Sequence, residues 1–186
     1  MELDRAIEFA LDGDALLFTG AGFSLGAQNV NGSSFKSAAS LAAHFSRIAD
    51  IPQNSSLEDA AEEIAEKFGK DKLIEELQLE YTTKEIQTAQ ETVARVPWRR
   101  VYTTNYDDVL EVAYRSVGRK LIPVTINSKI ENIPLNNKRK TICIHFNGYI
   151  CNITRDPKSA IDFVQTGSWA HVGPKNSPNR YKIIPA

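Results

Sequence analysis

A chain of 186 residues with 22 basic and 23 acidic side chains has nearly balanced charge. It is long enough for one sizeable core and short for two, so we expect residues 1–186 to form a single domain. A net charge of -1 argues against a global basic field for direct nucleic-acid binding, and no apolar run is long enough to span a bilayer. Two cysteines, Cys143 and Cys151, are too few for a disulfide framework or a four-cysteine zinc site. These features predict a cytoplasmic globular protein.

Apolar residues at helical spacing predict helices in the first half of the chain. A short amphipathic helix, with Leu3 and Ile7 on its apolar face, precedes the run "ALLFTG", which is too brief for a helix and predicts a buried strand. Further helices are predicted at 41–49, 60–68, about 70–80 and 83–95. They make up a helical insert over residues 33–95.

The second half of the chain predicts three more strands. Their sequences are "RRVYTTN", "KLIPVTI" and "KTICIHF", and the helix "YDDVLEVAYRSVG" follows the first of them. Strands that alternate with helices indicate an α/β fold, a Rossmann-like and mostly parallel sheet flanked by helices. The helical insert lies between the first two motif-bearing strands.

The first candidate site is "FTGAGFS", in which two glycines follow the first strand. A strand that enters a glycine turn and then a helix brings backbone N–H groups toward a phosphate, and the missing Cβ atoms permit close approach. The third glycine of the common dinucleotide fingerprint is absent, because Leu25 stands in its place. Spacing alone leaves a structural turn and a phosphate site equally open.

The second and third candidates also follow predicted strands, at the edge where open α/β sheets bind ligands. In "YTTNYDD", Asn105 can donate and accept hydrogen bonds to ribose hydroxyls or a water; the alternative is a helix N-cap. In "CIHFNGYI", His145 can serve as a general base, since histidine titrates near neutrality. The alternative there is a half-buried histidine bonded to a neighbouring carbonyl.

Taken in this order, the three stretches resemble motifs of the sirtuin superfamily over about residues 14–150. "GAGFS" is similar to the opening glycine motif, "TTNYD" to the T-x-N-x-D motif and "IHFNG" to the histidine-glycine motif. The chain resembles bacterial sirtuin-like domains of antiphage defence more than protein deacylases. It lacks the two cysteine pairs of the deacylase zinc ribbon, and it reads "LGAQNVNGSSF" where deacylases carry "GIPDFR".

The resemblance implies an NAD+ glycohydrolase that cleaves NAD+ to nicotinamide and ADP-ribose and so depletes NAD+ in an infected cell. NAD+ is then the substrate, and no zinc or other metal is expected. The expected partners are further copies of the chain, an ATPase of the HerA type, an Argonaute-type protein or another sensor, with no membrane. Two alternatives stay open: an NAD-dependent protein deacylase, and a non-catalytic subunit that binds NAD or ADP-ribose.

The resemblance also implies roles for single residues. The residues that would hold the pyrophosphate and the adjacent ribose are Gly20, Ala21, Gly22, Phe23 and Ser24. Asn105, with Thr104 beside it in the NAD+ site, would orient the nicotinamide ribose and the attacking water. Asp107 would bond the nicotinamide carboxamide, and His145 would be the general base or a ribose-hydroxyl partner.

Two positions depart from the family pattern. The family histidine commonly stands directly before the glycine, where this chain has Asn147 and Gly148, which we also assign to the NAD+ site. Some relatives have a histidine two positions before the glycine, which favours His145; the alternative that Asn147 occupies the catalytic place stays open. The later family strand with a glycine-serine turn has no clear counterpart in residues 151–186. A fragment, a minimal variant and completion by another subunit are the alternatives.

Overall fold

The computed structural model describes residues 3–125 and 140–155 of the chain. Its helices are α1 (Leu3–Leu11), α2 (Ala38–Ala49), α3 (Leu57–Phe68), α4 (Lys70–Tyr81), α5 (Thr88–Arg95) and α6 (Val109–Ser116). Its strands are β1 (Leu16–Thr19), β2 (Gln28–Asn29), β3 (Thr83–Glu85), β4 (Arg100–Thr103), β5 (Leu121–Thr125) and β6 (Thr141–His145). Single stretches of 3-10 helix cover Ala21–Ser24 and Ile150–Arg155. Residues 156–186, which contain most of the segment without a family counterpart, lie outside the described residues.

Four of these strands form a parallel sheet in the order β1-β4-β6-β5, which confirms the predicted α/β fold. The inner strand β6 is buried at all five residues, as expected of an apolar strand that is covered on both faces. The register pairs Thr19 with Thr103 and Thr103 with His145. The carboxyl ends of β1, β4 and β6 therefore lie side by side.

Helices α5 and α6 pack against one face of this sheet. The buried residues of this layer include Ala94 of α5, Tyr114 of α6 and Cys143 of β6. Side chains alternate along a strand, so Ile142 and Ile144, which flank Cys143, face the opposite side of the sheet. There they pack with residues of β5. His145, the polar residue at the end of β6, lies on the same face of the sheet as Cys143, the face that α6 covers. The His145 ring therefore lies between the sheet and α6.

The helical insert has a core of its own. Helices α2, α3 and α4 pack together through buried residues such as Phe45, Ile64 and Leu77, and Ile153 of the second 3-10 segment completes this cluster. These three helices lie close to the predicted ranges. The agreement is close because the apolar residues at helical spacing form the face of each helix that is buried in this core.

One predicted helix of the insert is wrong in its first part. The sequence predicts a helix over residues 83–95, but Thr83–Glu85 is the strand β3, and α5 begins at Thr88. The antiparallel partner of β3 is β2, which precedes it by more than fifty residues in the chain. Pairing with so distant a strand leaves no local periodicity, and so the sequence could not indicate it.

The helix predicted after the glycine loop, at 41–49, forms as α2, and the glycine stretch itself contains only a short turn. Only Ala21–Ser24 turns, as a 3-10 segment, and Leu25 returns to an extended conformation. The amphipathic helix α1 forms as predicted, but none of its residues is buried. None of the helices described is long and apolar enough to cross a bilayer.

The core of the insert gives a test of the packing. Leu77 is 0% exposed and Leu3 is 75% exposed. We expect Leu77→Ala to lower the free energy of unfolding by about 2–5 kcal/mol, because it removes buried methyl groups and leaves a cavity. The matched variant Leu3→Ala should change it by no more than about 0.5 kcal/mol. Denaturant titration measures both, and equal losses would contradict the assigned core.

Candidate functional site

The three polar stretches that follow β1, β4 and β6 meet at one edge of the sheet. Main-chain hydrogen bonds continue past the strand ends: Thr104 N–H donates to Thr19 O at 3.2 Å, and Phe146 N–H donates to Thr103 O at 2.9 Å. The loops are thus held side by side as they leave the sheet. This is the carboxyl edge, where parallel sheets commonly bind ligands.

A chain of side-chain hydrogen bonds joins the first two stretches. Asn105 Nδ2 donates to Ser24 Oγ at 2.8 Å, and Ser24 Oγ donates to Asp107 Oδ2 at 2.7 Å. All three residues are buried. A hydroxyl has one proton to donate, so its bond to Asp107 makes it an acceptor toward Asn105. The amide of Asn105 is thereby oriented, with Nδ2 toward Ser24 and Oδ1 as its remaining acceptor.

The alternative that Asn105 caps the following helix is wrong. Helix α6 begins at Val109, and the residue before it is Asp108. The Asn105 side chain turns away from this helix and across to the glycine loop. Asp107 instead stabilises the start of the helix, where its Oδ1 accepts from Val109 N–H at 3.2 Å.

Asp107 is a buried acid that ends the series of hydrogen bonds from Asn105 through Ser24. Burial raises its pKa from 3.8 to about 6, and the hydrogen bonds from Ser24 and Val109 N–H oppose the rise. The neighbouring Asp108, whose pKa burial also raises, accepts from Thr83 N–H at 2.7 Å and so ties the loop to β3. The loop after β4 is therefore fixed to the glycine loop, to α6 and to the insert.

The conformations of Gly20 and Gly22 do not require glycine. Gly20 is extended, with φ -139°, and Gly22 is not among the positive-φ glycines. An added Cβ on Gly22 would meet no described atom within 4 Å, and one on Gly20 would lie 3.4 Å from Thr104 Oγ1. By contrast, Gly26 has φ +82°, which favours glycine for conformational reasons. A structural turn explains Gly26 and leaves the other two glycines unexplained.

Gln90 is a residue of this site that the sequence analysis missed. It is 3% exposed on α5, and its Nε2 donates to Phe23 O at 2.8 Å and to Leu25 O at 3.1 Å. The side-chain amide of Gln90 thus binds two main-chain carbonyls of the glycine loop and fixes the loop to α5. A polar residue on the buried face of a predicted helix is the signal that could have indicated it.

His145 lies at the expected edge, but its ring is fully buried, with 0% exposure. Its Nδ1 is 3.1 Å from Asn105 O, and its Nε2 is 3.0 Å from Glu111 Oε1. The Tyr149 ring covers it, with ring centroids 4.5 Å apart. Both ring nitrogens are therefore engaged inside the protein. This geometry agrees with the alternative of a histidine bonded to a carbonyl, and Glu111 is a second residue that the sequence analysis missed.

Asn147 and Gly148 form the turn beyond β6. Asn147 is half-buried, and its Nδ2 donates to Thr104 O at 3.1 Å, which joins the third stretch to the second. Gly148 has φ +106°, a conformation that favours glycine. His145 and Asn147 are the two candidates for the position of the family histidine. Of these, Asn147 has the side chain that contacts the loop after β4 at the sheet edge.

Three buried residues beneath the edge carry atom types that bind metals. One atom each of Glu111, Cys143 and His145 lies within 4.8 Å of the other two. However, His145 Nε2 and Glu111 Oε1 are directly hydrogen-bonded, and burial raises the pKa of the Cys143 thiol, which keeps it protonated. In this structure His145 and Glu111 therefore use these atoms for a hydrogen bond to each other.

Asp107 gives a pH test of this geometry. Its pKa of about 6 exceeds the ordinary 3.8, so between these values the folded chain holds a proton that the unfolded chain has released. The resulting stability is present below the lower value and is lost as the pH rises through the higher one, about 3 kcal/mol in all. We expect the free energy of unfolding of the wild type to fall across this window relative to that of Asp107→Asn. Parallel pH curves in denaturant titrations would contradict this result.

Comparison with known proteins adds no family name to this geometry. No protein-family model matches the chain, and no curated protein matches it significantly. The resemblance to sirtuin motifs therefore rests on the three short stretches of sequence alone.

Proposed function

We infer that the chain binds NAD+ at the carboxyl edge of its sheet and hydrolyses the nicotinamide–ribose bond, releasing nicotinamide and ADP-ribose. The observation that carries this proposal is the hydrogen-bonded chain from Asn105 through Ser24 to Asp107. It brings together residues from two separate motifs, one after β1 and one after β4. Polar groups held rigidly in a buried site are what such chemistry requires.

The reaction separates a neutral leaving group from a cationic sugar. The C–N bond breaks with its electron pair on nicotinamide, water adds to the oxocarbenium-like ribose, and one proton is released. Asn105 Oδ1, the acceptor left by the bond to Ser24, suits a ribose hydroxyl or the attacking water. Above about pH 6, Asp107 is ionised, and its negative charge is joined to the Asn105 amide by two hydrogen bonds through Ser24. This charge favours the cationic transition state.

The glycine loop suits the pyrophosphate. Ala21 and Gly22 are exposed at the start of the 3-10 segment, where the first N–H groups have no acceptor within the helix. The lack of a Cβ on Gly22 leaves room for a ligand to approach the main chain.

A role as an effector of bacterial antiphage immunity, acting by NAD+ depletion, is supported by the motif resemblance alone. The same holds for the expected partners: further copies of the chain, an ATPase of the HerA type, or an Argonaute-type or other sensor protein. Such partners would supply activation, so nicotinamide release is to be measured both with the protein alone and with any protein that co-purifies.

A second candidate function is a non-catalytic subunit that binds NAD or ADP-ribose. It is favoured by the burial of His145 and by Asn147 in the place where the family commonly has histidine. Binding of ADP-ribose by calorimetry, with no cleavage of NAD+ in the presence of any partner, would support this candidate over hydrolysis.

Nicotinamide release tests the role of Asn105. We expect wild-type protein to release nicotinamide from NAD+, and Asn105→Ala to lower kcat about 100- to 1000-fold, because the acceptor for ribose or water is lost. Asn54→Ala, at an exposed loop position, is the matched control and should keep the wild-type rate. Chromatography of the products measures all three.

Undiminished turnover by Asn105→Ala would exclude its assigned role. Removal of acetyl groups from acetylated peptides, with NAD+ consumed only in their presence, would instead identify a deacylase.

The two kinds of glycine in the loop give a separate test of binding. We expect Gly22→Ala to weaken NAD+ binding at least about tenfold, because the new methyl group occupies the ligand's approach, and to leave stability unchanged or up to about 1 kcal/mol higher. Gly26→Ala should bind normally and lose about 1–2 kcal/mol, because its φ of +82° disfavours alanine. Calorimetry and denaturant titration measure the two effects. Normal binding by Gly22→Ala would remove the loop from the site.

A further inference from the structure

Glu111 is a buried acid that belongs to none of the three motifs. It lies in the first turn of α6, is 8% exposed, and has the buried apolar residues Val109 and Leu110 directly before it in the helix. A carboxylate is rarely buried without a partner. Its partner is His145, whose Nε2 lies 3.0 Å from Glu111 Oε1. The proposed chemistry uses neither residue at the reacting atoms, so the pair needs another explanation.

The protons of this pair can be placed by elimination. His145 Nδ1 lies 3.1 Å from Asn105 O, and a carbonyl oxygen only accepts, so Nδ1 must carry a proton. One further proton lies between Nε2 and Glu111 Oε1, on either atom. The imidazole is thus bonded at both nitrogens, and it links α6 to the main chain of Asn105.

The main chain of Asn105 is bonded on both sides. Its N–H donates to Thr103 Oγ1 at 3.0 Å, and its carbonyl accepts from His145. Its side chain then reaches Ser24. Without the bond to the carbonyl, Asn105 would lose one of the two bonds that hold its main chain, and the loop that carries its side chain would be held less firmly.

We propose that Glu111 is a positioning residue that acts through the imidazole of His145. The pair fixes the main chain of Asn105 and thereby directs its amide toward the site. His145 is then a link between α6 and the loop after β4, and not a base at the reacting atoms. For catalysis this inference rests on the proposed function; for the orientation of Asn105 it rests on the hydrogen bonds alone.

Steady-state kinetics with NAD+ provide the first test. We expect Glu111→Ala to lower kcat about 10- to 100-fold and to change KM less than about threefold, because binding groups stay in place while Asn105 is misdirected. Glu111→Gln should keep kcat within about threefold of wild type, because its amide can donate to Nε2. Glu80→Ala is the matched control, since Glu80 is also a buried acid, 3% exposed and bonded to Lys36 in the insert. It should lose stability and keep kcat.

Nuclear magnetic resonance of 15N-labelled protein provides a readout that needs no activity. We expect a slowly exchanging proton on Nδ1 of His145 in the wild type. The side-chain amide signal of Asn105, identified by its loss in Asn105→Ala, should shift in Glu111→Ala. It should stay in place in Glu111→Gln and in Glu80→Ala.

The two readouts separate failure of this inference from failure of the proposed function. If the wild type cleaves no NAD+ but the Asn105 signal shifts only in Glu111→Ala, the proposed function fails and the positioning role stands. The positioning role is overturned if Glu111→Ala keeps the wild-type kcat and Asn105 signal, or if Glu111→Gln loses as much kcat as Glu111→Ala. If Glu111→Ala does not fold, the wild-type spectrum decides, since a His145 ring without a proton on Nδ1 also overturns it.

Discussion

The hydroxyl of Ser24 is the contact on which the candidate site depends. It accepts from Asn105 and donates to Asp107, residues that are 81 and 83 positions away in the chain. Because the hydroxyl is buried, its absence would leave Nδ2 of Asn105 and Oδ2 of Asp107 without this partner and away from water, at a cost of about 1–3 kcal/mol for each. One small side chain thus orients an amide, stabilises a carboxylate and fixes the glycine loop to the loop after β4.

The same network extends inward from the sheet edge. From Ser24 the bonds pass to Asn105, from its carbonyl to His145, and from the imidazole to Glu111 on α6. In a low-dielectric interior such bonds strengthen one another, and loss of one member leaves its neighbours unsatisfied. The edge therefore presents polar groups that are already oriented before any ligand arrives, as electrostatic catalysis requires.

Much of the fold could be predicted because its signals are local. The apolar run of β6 and the helical stripes of the insert each depend on neighbours within a few residues. The strand Thr83–Glu85 could not be predicted, because its partner strand within the described part of the chain is Gln28–Asn29, more than fifty residues earlier. Likewise, the glycine loop is held by the side-chain amide of Gln90, a contact that the local sequence does not reveal.

The sequence by itself determined the order of the four strands of the main sheet along the chain and of the helices around them, and it placed three polar stretches at strand ends, since backbone propensity and periodicity act over short distances. Only the tertiary structure decided what those side chains touch. Asn105 bonds Ser24 and does not cap a helix, and His145 turns beneath the loops toward Glu111. The physical reason is that hydrogen-bond partners depend on strand register and helix packing, which bring together residues dozens of positions apart and leave no trace in local spacing.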